Sequence, residues 1–344
     1  MYLNATFQRN RDRPVSHEGQ HSVDVLKEKA LGFLEEAASH PEPFFLGIAP
    51  IAPHSNVVAQ GLELLPPDED APLYPPPAGL VGPPIPAERH RHLFGGVRIP
   101  RTANFNPESP SGAHWIRGLP RLDEASVAWY DHFYRQRLRA LQSVDELVDE
   151  VVSRLEGLGI LDSTYIVYTS DNGYHIGQHR LRPGKECGFD EDINIPLIIR
   201  GPAVPEGLVT DVVTTHVDLA PTILSLAGAT VPPRDEFDGV PVPLSGPAIA
   251  EASKTRHEHV TVEFWGLAVS EGGLGNDYIL RNNTYKAVRI VSNKYSLYYS
   301  VWCTNEHELY DLTVSPSVRH KAGHATFAAD LPLNMLLPRM TPGS

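Results

Sequence analysis

The stretch TYIVYTSDNGYHIGQHRLRPGK, residues 164 to 185, joins an apolar segment to a long polar turn. The β-branched and aromatic residues at 164–170 are typical of a strand, and the Gly, Asn and Pro residues that follow are typical of a turn. Ligands of open α/β sheets bind beyond the carboxyl ends of the strands. The stretch therefore predicts a strand whose end carries polar residues at a functional site.

Helix-like and strand-like patterns alternate on both sides of this stretch. Apolar residues recur every three or four positions in some segments, and continuous apolar runs occur in others. This alternation predicts an α/β fold with a mostly parallel central sheet and helices on both faces. The predicted helices are 22–39 (N-cap Ser22), 123–156 and 218–229 (N-cap Asp218), and the predicted buried strands are 44–49, 164–170 and 195–201.

The pattern changes near residue 258, where polar and apolar residues begin to alternate in short segments separated by turn residues. Such segments, for example YKAVRIV and YSLYYSVW, predict a small antiparallel sheet near the C-terminus. We expect an α/β domain at 1–250 and a small antiparallel subdomain with a tail at 251–344.

A proline-rich insertion is predicted at 60–120. Nine of the 21 residues from Pro66 to Pro86 are proline, which excludes a helix or a central strand there. We expect an excursion over the surface that serves as covering or as a lid.

Composition limits the class of protein and its partners. With 41% hydrophobic residues and no apolar run near eighteen residues, the 344-residue chain is predicted to be globular, without a membrane span. The net charge of −13 argues against a nucleic-acid partner, which needs a basic face. Two cysteines are too few for a disulfide framework.

Asp171 and Asn172 are candidate metal ligands, because they follow the predicted strand at 164–170. A carboxylate and an amide oxygen side by side suit Ca²⁺ or Mg²⁺ better than zinc. The Asn-Gly dipeptide is also a common turn, so these two residues by themselves leave both interpretations open.

Four further side chains are candidates for binding an anionic ester. Lys185 follows a glycine and offers an ammonium group to a sulfate or phosphate oxygen. His54 follows the predicted strand 44–49 and is a candidate acid for a leaving group. His175 and His179 lie in a Gly- and Pro-containing loop that could present imidazoles to an anion. Each of the four is equally compatible with an ordinary surface or strand-end residue.

Several segments together resemble the sulfatases, most closely the branch of fungal arylsulfatases and glucosamine-6-sulfatases. TSDNGYHIGQHRL (169–181), the following GK, and DINIPLIIRGP (192–202) form the longest of them. PFFLGIAPIAPHS (43–55), DLAPTILSLAG (218–228) and ELYDLTVSP (308–316) are similar to further parts of the family.

The resemblance implies an alkaline-phosphatase-like fold and hydrolysis of a small-molecule or saccharide sulfate ester with Ca²⁺, or Mg²⁺ in its place. It implies that Asp171 and Asn172 bind the cation and that Lys185 contacts the sulfate. His54 is implied to assist departure of the bridging oxygen, and His175 and His179 to line the substrate pocket.

One part of the family pattern is missing. The sulfatase nucleophile is a formylglycine made from a C/S-x-P/A-x-R motif, and neither Cys187, Cys303 nor any serine lies in such a motif. The adjacent Asp pair and the Lys-x-His pair of the family do not precede His54. Two hypotheses follow: a sulfatase represented by an incomplete chain, or a sulfatase-like remnant without catalysis. The first hypothesis also includes a related enzyme that acts on phosphate or phosphonate esters.

Two glycosylation sequons, at Asn4 and Asn282, together with the family, favour a secretory or extracellular location. The first residues, MYLNATFQRNRDRP, contain no apolar segment typical of a signal peptide.

Overall fold

The structure is a computed structural model that describes residues 1–57, 81–230, 237–266, 268–272, 279–280, 283–313 and 320–321. Within these ranges, no helix has the length and apolar composition needed to cross a bilayer. The helices are α1 (Ser22–Ala38), α2 (His114–Arg117), α3 (Glu124–Gly157), α4 (Asp190–Ile193), α5 (Leu219–Leu226) and α6 (Gly246–Thr255). Short 3₁₀ turns lie at Glu88–His90, Leu161–Ser163 and His216–Asp218.

All pairs of strands among the described residues are antiparallel. They form one five-stranded sheet and four two-stranded pairs. The strands are β1 (Asn4–Phe7), β2 (Val15–Glu18), β3 (Asn56–Val57), β4 (Val81–Gly82), β5 (Ile166–Thr169), β6 (Leu197–Arg200), β7 (His259–Phe264), β8 (Ala268–Val269), β9 (Ile279–Leu280), β10 (Tyr285–Val291), β11 (Ser296–Trp302), β12 (His307–Asp311) and β13 (His320–Lys321).

Helix α3 agrees with the prediction at both ends. Its N-cap, Asp123, accepts a hydrogen bond from the Ser126 N–H at 2.8 Å, as a short acidic side chain does at this position. One face of α3 buries apolar residues, including Ala140 and Val144, against Val23 of α1. Helix α1 is also confirmed, but its N-cap is His21 rather than the predicted Ser22, and no side chain caps it.

The buried strand expected at 44–49 does not form. These residues belong to no ladder among the described residues, and Phe45 is 75% exposed. Apolar composition favours a strand only when a neighbouring strand bonds its backbone. The other two expected strands do form, as β5 and β6, but they pair with each other in antiparallel register, with Tyr168 opposite Ile198.

The predicted C-terminal sheet is present, in the order β13-β12-β11-β10-β7. Its inner face packs aromatic residues such as Tyr298 and Trp302 against Leu181, within the stretch quoted above, and Phe189, which follows that stretch. This shared core fixes the segment that carries Lys185 against the sheet.

The proline-rich insertion lies partly outside the described residues, which resume at Val81. Its described part does more than cover the surface, because Ile85, Ile99 and Ile116 are buried in three separate apolar clusters. The predicted helix at 218–229 appears as the 3₁₀ turn followed by α5. Its N-terminal end is closed by a capping box between Thr215 and Asp218.

Candidate functional site

The polar turn after β5 is clamped to the residues that precede β6. Gly173 and Tyr174 donate backbone hydrogen bonds to the carbonyl oxygens of Asp192 and Glu191, at 2.8 and 2.6 Å. A Cβ on Gly173 would lie 1.9 Å from the Glu191 oxygen, so only glycine fits this approach. His175 and Gly184 exchange backbone hydrogen bonds of 2.9 and 3.1 Å. The turn is therefore a closed loop that returns to Lys185.

Asp171 and Asn172 stand at the end of β5, as predicted. Asp171 is exposed, and its Oδ1 accepts the Asn172 N–H at 3.0 Å. The Asn172 amide nitrogen donates to the Gly173 carbonyl at 2.8 Å, and the side-chain oxygen takes no part in this bond. The two side chains thus retain hard oxygen donors that suit Ca²⁺ or Mg²⁺. They supply only two of the about six to eight oxygens that calcium takes.

The partly buried carboxylate of Glu271 connects three parts of the site. Its Oε2 accepts hydrogen bonds from the hydroxyls of Ser55 and Tyr174, at 2.7 and 3.0 Å. Its Oε1 lies 3.8 Å from Nζ of Lys185. The loop that carries His54 and the segment that carries Lys185 are therefore held on the same carboxylate, together with the polar turn.

Arg137 of α3 contacts both the polar turn and the loop that carries His54. Its guanidinium stacks 3.8 Å from the ring centre of Tyr174 and donates to the Pro53 carbonyl at 2.9 Å. Burial lowers the pKa of Arg137, while the carboxylates of Glu271 and Asp171 act in the opposite direction. Burial raises the pKa of Tyr174 well above its usual value, and Glu271 adds to the effect. Tyr174 therefore acts here as a neutral hydrogen-bond donor.

His54 is half-buried at the edge of this assembly. Its Nδ1 lies 2.8 Å from the Ser55 carbonyl oxygen, and because a carbonyl only accepts, Nδ1 carries a proton. Its backbone carbonyl accepts the Tyr2 hydroxyl at 2.7 Å. No described residue bonds Nε2, so this nitrogen is the one that can exchange a proton with a ligand.

His175 lies behind the site rather than on its surface. Its Nδ1 is 2.8 and 2.9 Å from the two carboxylate oxygens of Asp192, which also accepts the Cys187 N–H at 2.8 Å. Burial alone would lower the pKa of His175, but the Asp192 carboxylate outweighs it and raises the pKa. We place the shared proton on His175, because hydrogen bonds from both donors favour the ionised carboxylate.

The His175–Asp192 pair is also part of a cluster of possible metal ligands. The ligand atoms of His175, Cys187 and Asp192 lie within 4.8 Å of one another. Both oxygens of the carboxylate already accept hydrogen bonds, so the polar groups of the cluster are satisfied without an ion.

His179 is enclosed in the core. Its ring stacks on Phe189 with centroids 4.1 Å apart, and its backbone N–H bonds the Asn104 carbonyl. The predicted pocket-lining roles of His175 and His179 stay predictions, and both side chains are almost wholly buried in this structure. Of the sequons, Asn4 lies exposed on β1, and Asn282 lies outside the described residues.

The residues that sequence reasoning missed are Ser55, Arg137, Tyr174 and Glu271. Ser55 and Tyr174 adjoin predicted site residues, and that adjacency is a signal that could have found them. Arg137 lies within α3 and Glu271 shortly after β8, and no local pattern marks either of them.

The sulfatase family profile matches residues 2–229. The chain belongs to the sulfatase family. Sulfatase ppz1 of Metarhizium majus is 40% identical over 316 residues, which are 92% of this chain and 63% of that relative. An arylsulfatase of Volvox carteri is 36% identical over 92% of this chain and 50% of its own length. Other matched relatives are named N-acetylglucosamine-6-sulfatase and extracellular sulfatase.

The chain thus spans 63% and 50% of the lengths of these two curated relatives. Among solved structures, BT4656 in complex with its substrate D-glucosamine-2-N,6-O-disulfate superposes with a TM-score of 0.66 at 20% identity. The match covers 92% of this chain and 67% of that one. The likeness confirms the predicted alkaline-phosphatase-like α/β fold with a small C-terminal antiparallel sheet. The mostly parallel central sheet that was also predicted is not seen among the described residues, where β5 and β6 pair antiparallel with each other.

Proposed function

We propose that this chain supplies part of a sulfatase site for sulfate esters, formed by the end of β5, Lys185 and His54, and that cleavage of the S–O bond there also requires a nucleophile that these 344 residues do not contain. The observation that carries the proposal is the Glu271 carboxylate. It holds the His54 loop through Ser55 and lies beside the Lys185 ammonium. These contacts support a site that combines the Lys185 ammonium with the His54 imidazole, although the two residues are far apart in the sequence.

Lys185 binds and orients the ester in this proposal. Its ammonium faces a single carboxylate oxygen at 3.8 Å, a loose contact that leaves donor capacity for a sulfate oxygen. A positive charge at that position offsets negative charge that develops as the S–O bond breaks.

His54 delivers the proton to the departing oxygen. With Nδ1–H fixed on the Ser55 carbonyl, the protonated ring presents Nε2–H to the ligand and returns to the neutral tautomer after transfer. The contacts of Tyr2 and Arg137 with the His54 and Pro53 carbonyls hold this loop still, so the imidazole keeps its direction.

Asp171 and Asn172 would hold the divalent cation. Family membership supports a metal, and the donor set supports Ca²⁺ or Mg²⁺. When bound, such a cation polarises a sulfate oxygen as a Lewis acid. With two ligands from this chain, we expect weak affinity.

The nucleophile motif of the family is absent from the 344 residues, and no attacking group is assigned. This observation favours the second candidate function, a sulfatase-like fragment or remnant that binds an anionic ester without turnover. The substrate class that we propose is a small-molecule or saccharide sulfate ester. The relatives named extracellular sulfatases and the exposed Asn4 support a secretory route and a glycoprotein.

The test is binding and turnover of 4-nitrophenyl sulfate by the purified chain, with and without calcium. We expect no product above background, and binding that calcium strengthens and Lys185→Ala weakens. Lys294→Ala is a matched control, since Lys294 is exposed in the loop between β10 and β11. Turnover would show that the missing motif is dispensable, and binding indifferent to Lys185→Ala would refute the proposed site.

A further inference from the structure

A groove of about 1020 Å³ lies along the first turns of α3, and four arginines line it: Arg98, Arg101, Arg121 and Arg135. Such a concentration of guanidinium groups is unexpected in a chain with a net charge of −13. The volume is at the upper end of the range for ligand sites. It exceeds the room that a small inorganic anion needs.

The groove and the candidate active site use different faces of α3. Asp131 and Arg135 are four residues apart and share the face that lines the groove. Arg137, two residues further on, is turned by about 200° around the helix axis and contacts Tyr174. A ligand in the groove therefore does not compete with an ester at Lys185.

Two of the arginines are held in place by the protein. Asp131 accepts the Ile99 N–H at 3.0 Å and the Arg101 guanidinium at 2.6 Å. Arg101 also stacks on Phe105, with 4.3 Å between the guanidinium carbon and the ring centre. Arg135 donates to the Val97 carbonyl at 3.3 Å. These contacts pin the loop 97–101 to α3 and form a rigid wall of the groove.

The other two arginines are available to a ligand. Arg98 is exposed and pairs with no described residue. Arg121 is 59% exposed and lies 3.7 Å from Glu108, whose side chain is 84% exposed, and a surface pair of this kind contributes little. Guanidinium groups bind sulfate and other oxyanions through paired N–H donors.

The remaining lining suits a saccharide better than a bare anion. Asp123 and Glu124 offer carboxylate oxygens that accept hydrogen bonds from sugar hydroxyls, and Leu122 and Val127 offer apolar surface for the face of a sugar ring. We propose that this groove binds a sulfated oligosaccharide, with its sulfate groups on Arg98 and Arg121. The groove is a binding site separate from the one at which a sulfate ester is proposed to react.

The experiment measures binding of a fluorescein-labelled heparin hexasaccharide to the full chain by anisotropy, at low and at physiological ionic strength. The double variant Arg98→Ala/Arg121→Ala should bind about tenfold more weakly, since it loses two exposed charge-assisted contacts. Both side chains are exposed, so the variant keeps the fold, which circular dichroism checks. Higher salt should weaken binding to the unmodified chain.

The matched control is Arg11→Ala/Arg13→Ala, which removes the same charge from an exposed turn. The neighbouring Arg9 pairs with Glu36 at the end of α1, and Glu35 pairs with Arg154 near the far end of α3. We expect this control to retain full affinity. The groove variant should bind 4-nitrophenyl sulfate as the unmodified chain does, whereas Lys185→Ala should bind it more weakly, so failure of the proposed ester site and failure of the groove give different results.

Three results would overturn the proposal. The first is equal affinity of the groove variant and the unmodified chain. The second is equal binding of the desulfated hexasaccharide, which would remove the role of sulfate. The third is displacement of the hexasaccharide by tripolyphosphate at equal charge, which would show a general polyanion surface instead of a saccharide site.

Discussion

Replacing Asp192 by asparagine tests how the turn that carries Lys185 is held. The Asp192 side chain is 2% exposed and accepts hydrogen bonds from the His175 ring and the Cys187 N–H. Asparagine keeps the shape but has one acceptor oxygen, so its amide N–H₂ must face one of these two donors. The variant loses a charge-assisted hydrogen bond, worth about 1.5–3 kcal/mol, and leaves a buried donor unsatisfied at a cost of about 1–3 kcal/mol.

We therefore expect Asp192→Asn to lower the free energy of unfolding by about 3–5 kcal/mol, the range found when a buried pair loses one partner. Urea unfolding followed by tryptophan fluorescence measures this quantity. Asp162→Asn is the control, because the Asp162 side chain is fully exposed and, among the described residues, pairs with Arg200 alone. Its unfolding curve should superpose on that of the unmodified chain. A loss below about 1 kcal/mol for Asp192→Asn would refute the reasoning.

The same pair predicts a dependence of stability on pH. The pKa of His175 is raised in the folded protein, since Asp192 outweighs the opposing effect of burial. Its stabilisation is fully present below the unfolded-state pKa of about 6.5 and is lost as the pH rises through the folded-state pKa. The stability difference between the unmodified chain and Asp192→Asn should shrink above that pH. A difference that stays constant or grows on the alkaline side would contradict the assignment of the proton to His175.

Two further substitutions, Gly173→Ala and Glu271→Gln, test the contacts that hold the site together, and thermal or urea unfolding measures their effect on stability. Gly173→Ala places a Cβ 1.9 Å from the Glu191 oxygen and should cost at least about 3 kcal/mol. Gly32→Ala, in α1 with open space around it, should stabilise by about 0.5–1 kcal/mol, and equal effects of the two glycine variants would refute the steric argument. Glu271→Gln should cost about 1–3 kcal/mol, because a charged acceptor of two hydroxyls becomes a neutral amide. The surface variant Glu263→Gln is its control, and matching losses for the two would mean that Glu271 is not a connecting group.

Much of the fold follows from patterns that act over short distances. The 34 residues of α3 have a helical apolar period and are preceded by their own N-cap, so this helix can be predicted from its local sequence alone. The strands of the C-terminal sheet likewise follow from alternation and turns. The run at 44–49 shows the limit, because a strand requires a bonding partner that its own composition cannot specify.

Some residues of the candidate site can likewise be predicted from local sequence, and others cannot. Asp171, Asn172 and Lys185 are predictable because they lie in one continuous stretch: Asp171 and Asn172 follow β5 directly, and Lys185 follows Gly184 at the end of the polar turn. Glu271 is not predictable in this way, because it becomes a site residue only when the folded chain brings its carboxylate to the hydroxyls of Ser55 and Tyr174, which are distant in sequence.

The sequence by itself determined the family, the position of the polar turn and the absence of the nucleophile motif from these 344 residues, since all three are local strings of residues. Only the tertiary structure decided that His175 bonds Asp192 inside the core and that Glu271 joins Ser55 to Lys185. It also decided that four arginines from three segments line one groove. The physical reason is that burial and pairing are properties of groups brought together from distant positions, and no single segment encodes them.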